Sequence, residues 1–286
     1  MKEEYRGERC DLMIALHARR SFSSVQRFRE LHPDAPLLVA LTGTDLYGDP
    51  ASNRQTLQSM ELASRLIVLQ PLALRALPKH LRARARVIYQ SVEVPAELPA
   101  RKRDVFEVCV IGHLREVKDP FRAALAARGL PEPSRIRVIH VGAALSGEME
   151  TAARAEEKRN PRYRWMGDLR RSQALRVLAR CRIHVLSSTM EGGANVLGEA
   201  IALGVPTLAS RIDGSVGILG AQYPGYFPVG DTGALRRLLW RAESDAAFLA
   251  RLQNWCKRLR PLFQPSRERK CWQQLLRELH RGSRTS

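Results

Sequence analysis

An α/β chain built from parallel layers, in two domains, is what the sequence predicts. Strand signals and helical patterns alternate along most of its 286 residues, the pattern that parallel sheets with crossover helices impose. That length is enough for two cores. Between the two series lies 92–103 (VEVPAELPARKR), where two prolines and a charge run mark a linker.

The first series reads as strands at 12–16, 37–41, 66–69 and 86–89, with helices near 23–31, 53–63 and 72–77. The second reads as strands near 107–111, 137–141, 164–166, 183–186, 206–209 and 226–229, with helices between them. From about residue 235 the tail is helical and basic.

The apolar fraction of 44% is ordinary for a soluble protein, and no apolar run approaches a membrane span. The start, MKEEYRGERC, has no apolar segment of the signal-peptide kind. Five cysteines with no CxxC or metal spacing read as reduced thiols of a cytoplasmic protein. The net charge of +18 attracts anions. An arginine-rich composition spread over helix faces is the plain account of it. No nucleic-acid module, aromatic–basic interleaving or zinc spacing accompanies it, so a specific nucleic acid is the minority reading, while attraction of phosphate-bearing ligands needs no further feature.

The most informative segment is 191–200, EGGANVLGEA. A buried strand (IHVL) precedes it, and Leu197, Ala200, Ile201 and Gly204 recur behind it at helical spacing. Strand, glycine turn and helix start bring free backbone N–H groups and a helix dipole to one place, which suits an anion. Glu191 on the loop and Glu199 two turns into the helix are carboxylates that can hydrogen-bond hydroxyls. Together these features fit a sugar joined to a nucleoside through a diphosphate. Solvated surface glutamates are the plain alternative.

The pattern resembles the glutamate-seven-residues-glutamate signature of the retaining, GT-B-fold glycosyltransferases of family 4. ALGVPTLAS (202–210), DGS (213–215) and YFPVGDT (226–232) follow in the family's order. The resemblance implies two Rossmann-like domains facing across a cleft: an acceptor-side domain at 1–100, a nucleotide-sugar domain at 101–240, and helices at 241–286 crossing back to the first. Relatives open with a strand, a glycine-rich loop and a helix. This chain begins in polar residues and enters at a later strand, so the first domain is expected to lack that opening unit.

The resemblance also assigns residues. In VCVIGHLREVKDP (108–120) the family has a glycine, an arginine and a lysine that grip the diphosphate. Gly112 and Lys118 match; His113 holds the arginine position, with Arg115 two residues on. Arg115 and Lys118 are expected to neutralise the leaving diphosphate, the task a metal performs elsewhere, and no metal or other cofactor is expected. Glu191 with the Gly193, Ala194 and Asn195 backbone would hold the sugar, Glu199 the ribose, and the strand end at Met166 the base. On the acceptor side, LHARRS (16–21) and ALTGTDLY (40–47) each follow a strand. Many relatives carry histidine where Thr42 stands. A cluster of His17, Arg19 and Arg20 at a helix start, with Thr42 and Asp45, suits a phosphate-type acceptor.

CDLMIALHARRS, ALTGTDLY, VIYQS, FEVCVIGHLREVKDP, EGGANV and YPGYFPVGD are similar to segments of the selenosugar synthases of selenoneine biosynthesis. That resemblance implies a UDP-sugar donor, with N-acetylglucosamine or glucose as the sugar, and selenophosphate as acceptor. A soft nucleophile that is already anionic needs no strong base, which agrees with Thr42 in the histidine position. A hydroxyl or thiol acceptor, and a non-catalytic nucleotide-sugar or nucleic-acid binding protein, are the other readings.

Overall fold

The computed structural model describes residues 3–48 and 53–282. It divides into two compact units: Met1–Gln90 with Met190–Gly193 and Pro265–Ser286, and Ser91–Thr189 with Ala194–Gln264.

In the first unit the chain runs β1 (Met13–Leu16), α1 (Phe22–Leu31), β2 (Leu37–Ala40), α2 (Thr44–Tyr47), α3 (Arg54–Leu62), β3 (Arg65–Val68), α4 (Ala73–Ala76) and β4 (Ala85–Val87). The four strands pair in parallel in the order β1-β2-β3-β4. Alternate residues of β2 face opposite sides, and both sides are buried, so β2 reads as an unbroken apolar run. Leu37 and Val39 pack with Val25 and Phe28 of α1 and Met60 of α3. Leu38 and Ala40 pack with Ile67, Ile88 and the C-terminal helix through Leu275 and Leu279. On β1, Ile14 and Leu16 stay exposed, at 43% and 46%.

The second unit runs β5 (Phe106–Ile111), α5 (Arg122–Arg128), β6 (Ile136–Val141), α6 (Gly147–Arg159), β7 (Tyr163–Trp165), α7 (Arg171–Arg180), β8 (Ile183–Leu186), α8 (Asn195–Ala202), β9 (Thr207–Ser210), α9 (Asp213–Leu219), β10 (Tyr226–Phe227), α10 (Thr232–Ser244) and α11 (Ala246–Leu259). The C-terminal helix, α12 (Pro265–Gly282), belongs to the first unit. The six strands are parallel, in the order β10-β9-β8-β5-β6-β7. Successive strands step one way from β5 to β7 and the other way from β8 to β10. Such a reversal opens a crevice at the strand C-termini, here beside the ends of β5 and β8.

The units divide at Gln90, ten residues before the boundary expected at 100. Val92 already bonds the Phe263 carbonyl in the second unit, so the proline-rich stretch after it is not where the first unit ends. The tail differs as well. Helix α11 does not cross back: Phe248, Leu252 and Cys256 are buried, and Trp255 Nε1 donates to the Leu219 carbonyl at 2.7 Å. Only α12 joins the first unit. Among the described residues no helix is long and apolar enough to cross a membrane.

Two histidines are buried in the second sheet. His140 on β6 and His184 on β8 are fully enclosed, and burial holds their pKa values at about 4 and about 3. Both are therefore neutral at pH 7. As pH falls below the ordinary 6.5, the unfolded chain takes up protons that the folded core refuses. Stability should fall from about pH 6.5 to pH 4, by on the order of 3 kcal/mol for each histidine. Urea unfolding at pH 7 and pH 4 checks this, with His184→Val as the comparison. If the variant and the parent lose the same stability over that range, His184 is not the cause.

Candidate active site

At the end of β5 the chain turns on a glycine and is pinned on two sides. Gly112 N–H donates to the Val141 carbonyl at 2.9 Å, and Leu114 N–H to Ala143 at 2.8 Å. Gly142, across the turn, has φ +150°, and a Cβ there would lie 2.0 Å from the Gly112 oxygen. No residue but glycine fits that contact. The His113 Nδ1 accepts the Ala143 N–H at 3.0 Å. A nitrogen that accepts carries no proton, so the neutral ring has its hydrogen on Nε2. Arg115 is exposed, and Lys118 is half-buried.

Lys118 closes the 3-10 turn Glu116–Lys118, and α5 begins only at Arg122. The delay comes from Asp119, which stands at φ +44° and grips Arg122 through contacts of 2.7 and 3.2 Å. From the far side of the switch point, Ser187 Oγ donates to the carbonyls of Lys118 (3.1 Å) and Asp119 (2.8 Å). Thr189 N–H donates to Val117 at 2.9 Å. The residues after β8 thus hold the cationic loop after β5 from behind.

Helix α8 opens at Asn195 with Ala194 as its N-cap, and no side chain caps it. Its first N–H groups are left for another acceptor. Glu199 lies on this helix with 13% of its side chain exposed, 3.0 Å from the Arg171 guanidinium. Met166 follows β7; its N–H donates to the His140 carbonyl at 2.8 Å, and its half-buried side chain packs against the core.

In the first unit, Met190–Gly193 packs against the loop after β2. A Cβ on Gly192 would lie 2.5 Å from the Thr42 oxygen, and one on Gly193 would lie 2.6 Å from the Leu69 Cβ. These glycines therefore serve close backbone packing beside Glu191. Among the acceptor-side calls, His17, Thr42 and Asp45 come together. His17 has a φ of +73°, uncommon for a residue with a side chain. Its Nε2 lies 3.0 Å from Thr44 Oγ1, and its Nδ1 receives the Arg20 N–H at 3.4 Å. Asp45, expected to bind acceptor, is enclosed instead. Its two oxygens take the N–H groups of Ala18, Thr42 and Gly43, each at 2.9 Å, and so tie the loops after β1 and β2 together. Arg19 and Arg20 are exposed, in the turn before α1 rather than in its first turn.

Sequence reasoning missed Ser187, Thr189, Thr44, Arg171 and His140. Ser187 and Ser188 carried a signal, two hydroxyls directly behind an apolar strand; Arg171 carried none. Among the described residues, no cluster of three or more His, Cys, Asp or Glu is arranged to hold a metal ion.

The family described as glycosyl transferases group 1 matches residues 97–255, more than half of the chain. The chain belongs to that family. It is a glycosyltransferase, and the matched region contains the switch point with both of its loops. No curated protein sequence matches it. Among solved structures, it is similar to Anabaena Alr3699/HepE, crystallised in complex with UDP and glucose: TM-score 0.75, 17% identity, 94% of this chain and 78% of that one. It is also similar to the sucrose-phosphate synthase of Thermosynechococcus elongatus (0.76, 19%, 95% and 74%) and to the trehalose-6-phosphate synthase OtsA (0.74, 11%, 94% and 71%). At these identities the likeness concerns the fold, which is GT-B.

The enclosed Asp45 and the exposed arginines lead to opposite outcomes. Asp45→Asn would turn an NH2 group toward one or more backbone N–H donors, and Asp45→Ala would leave three of them unpaired. Both should lower the unfolding midpoint, at about 1–3 kcal/mol per orphaned donor. Arg19→Ala and Arg20→Ala should stay within about 0.5 kcal/mol of the parent. Equal melting curves for Asp45→Ala and the parent would remove Asp45 from this role.

Proposed function

We propose that this group 1 glycosyltransferase, of the family 4 type, moves N-acetylglucosamine or glucose from a UDP-sugar to selenophosphate. Transfer gives a sugar whose selenium still carries the phosphoryl group; hydrolysis of that selenium–phosphorus bond, releasing inorganic phosphate, yields the selenosugar for selenoneine biosynthesis. The observation that carries the donor half is the pair of stitched loops at the switch point. One holds His113, Arg115 and Lys118; the other leads to the uncapped start of α8 and to Glu199. The occurrence of HepE in complexes with UDP and with UDP-glucose supports the same ligand class.

In this reading Arg115 and Lys118 neutralise the charge that develops on the departing diphosphate. Gly112 allows the phosphates close to the backbone. Glu199, steered by Arg171, takes the ribose hydroxyls; the Met166 backbone takes the base; Glu191, with the N–H groups of Gly193, Ala194 and Asn195, takes the sugar. Selenium supplies the electron pair for the new bond to the anomeric carbon. The carbon–oxygen bond to UDP breaks, and UDP leaves with that bond's electrons. His17, Arg19, Arg20 and Thr42 bind the acceptor, and Asp45 holds their loops. Both nitrogens of His17 have partners within its own unit, so this imidazole is not free to take an alcohol's proton. That supports an acceptor that arrives as an anion. The enzyme acts in the cytoplasm, without a metal.

The two glutamates should separate in kinetics. Glu199→Ala should weaken UDP and UDP-sugar binding, since a ribose contact is alike in ground and transition states. Glu191→Ala should chiefly lower turnover, since its contact strengthens as charge develops at the anomeric carbon. Each loss should be on the order of 1.5–3 kcal/mol. Calorimetry with UDP in chelator, beside steady-state rates, checks this. Binding that disappears in chelator, or unchanged constants in both variants, would count against the donor assignment.

The acceptor is decided by assaying selenophosphate, thiophosphate and sugar alcohols side by side with one UDP-sugar, products being read by mass spectrometry. Selenophosphate should react best and alcohols poorly, and Arg19→Ala or Arg20→Ala should raise the acceptor KM while leaving UDP affinity nearly unchanged. Preference for an alcohol or thiol would replace the acceptor proposed here. Absence of turnover with every acceptor would point to a binding protein.

A further inference from the structure

The candidate diphosphate loop rests on a buried histidine to which no role has been given. His140, on β6, is fully enclosed. Its Nε2 lies 3.2 Å from the Gly112 carbonyl oxygen and its Nδ1 lies 3.0 Å from the Tyr163 hydroxyl. A carbonyl only accepts, so Nε2 carries the proton. The ring is neutral, because burial lowers its pKa to about 4. Nδ1 is therefore an acceptor, and the Tyr163 hydroxyl is its donor. Burial pushes the tyrosine pKa upward, which keeps that proton in place. Chemistry alone leaves one orientation for the whole chain, Tyr163 O–H to His140 Nδ1 and His140 Nε2–H to Gly112 C=O.

This chain acts on one peptide plane. In a trans peptide the C=O and the following N–H point in opposite directions. Drawing the Gly112 oxygen inward, over Gly142, turns the His113 N–H outward at the C-terminal end of β5. That N–H has no protein acceptor among the described residues, whereas its neighbours Gly112 and Leu114 both donate across the turn. The plane has little room to flip. The Cβ that Gly142 lacks would meet the Gly112 oxygen at 2.0 Å and His113 N at 2.8 Å. Trp165 Nε1 holds the Gly142 carbonyl at 2.8 Å from the same strand that carries Tyr163.

We propose that His140 is a positioning residue for the donor: it fixes the Gly112–His113 peptide so that the His113 N–H donates to the diphosphate of the nucleotide sugar. The proposal rests on the UDP-sugar reading above. It adds a backbone donor, and a buried Tyr–His pair behind it, to the cations already placed there.

Full-length His140→Leu, His140→Gln and Tyr163→Phe test it, with affinities for UDP and for uridine read by ligand-observed NMR and folding read by melting curves. A hydrogen bond to a charged group is worth about tenfold or more in affinity. His140→Leu should therefore bind UDP roughly tenfold more weakly and uridine as the parent does. His140→Gln, which still offers an N–H near the Nε2 position, should recover most of the loss, and Tyr163→Phe should show a smaller loss than His140→Leu. If His140→Leu does not fold, Tyr163→Phe and His140→Gln carry the same comparison of UDP with uridine. UDP affinity unchanged in the variants that fold, or equal losses for UDP and uridine, would overturn the proposal and leave His140 a core residue. A parent protein that does not bind UDP would overturn the donor reading itself.

Discussion

The second sheet reverses its strand order between β5 and β8, and the donor chemistry depends on that reversal. Parallel strands deliver all their exits to one end of a sheet. At most positions crossover helices fill the space above them. Where the order reverses, the helices leave to opposite sides, and the loops after β5 and β8 meet with nothing between them. Here they meet through hydrogen bonds: Ser187 and Thr189 hold the carbonyls of Val117, Lys118 and Asp119. The cationic loop is thereby fixed before any ligand arrives, which reduces the ordering cost of binding an anion.

In each unit, fixed loop geometry relies on glycine and on buried polar groups. Gly142 and Gly192 each stand where a Cβ would enter a neighbouring carbonyl. His140 and His184 lie inside the sheet without charge, His140 against the Gly112 carbonyl and His184 against the Thr207 hydroxyl, so neither carries the desolvation cost of an ion. Asp45 is the exception, a carboxylate with no exposed surface on its side chain. Three backbone N–H groups surround it and replace the water it lost. The same three bonds couple the loop of His17 to the loop of Thr42. A positive φ at His17 is tolerated because its neighbours hold it there on both sides.

Most of the fold was legible in the sequence because parallel strands buried on both faces leave unbroken apolar runs. LLVA is such a run, and IHVL and TLAS are short runs that carry a buried His184 and a buried Thr207 and Ser210; each is a fully buried strand in the structure. The glycine turns were legible for a related reason: IGH closes β5, and EGG follows β8 after four residues, between an apolar strand and a helical pattern. The ordered match of later segments then pointed to the glycosyltransferase family, which holds. Element ends, unit boundaries and the role of single polar residues were less legible. The proline-rich stretch looked like the division, yet Val92 was already committed to the second unit. A basic helical tail looked continuous, yet α11 and α12 go to different units because their buried residues find different partners.

Local signals, strand runs and glycine turns, follow from neighbours in the chain, so composition and period were enough to read them, and the spacing of Glu191 and Glu199 took its meaning from the resemblance to a family. Which polar side chain faces a ligand and which faces the core depends on residues distant in sequence. Asp45 reads as a site carboxylate until Ala18, 27 residues earlier, is seen to donate to it. His140 reads as an interruption of a strand until Gly112, 28 residues earlier, is found against its Nε2. The carbonyl of Lys118 is held by Ser187, 69 residues later. Those pairings exist only when the sheet brings the strand ends together, and tertiary packing alone decided them.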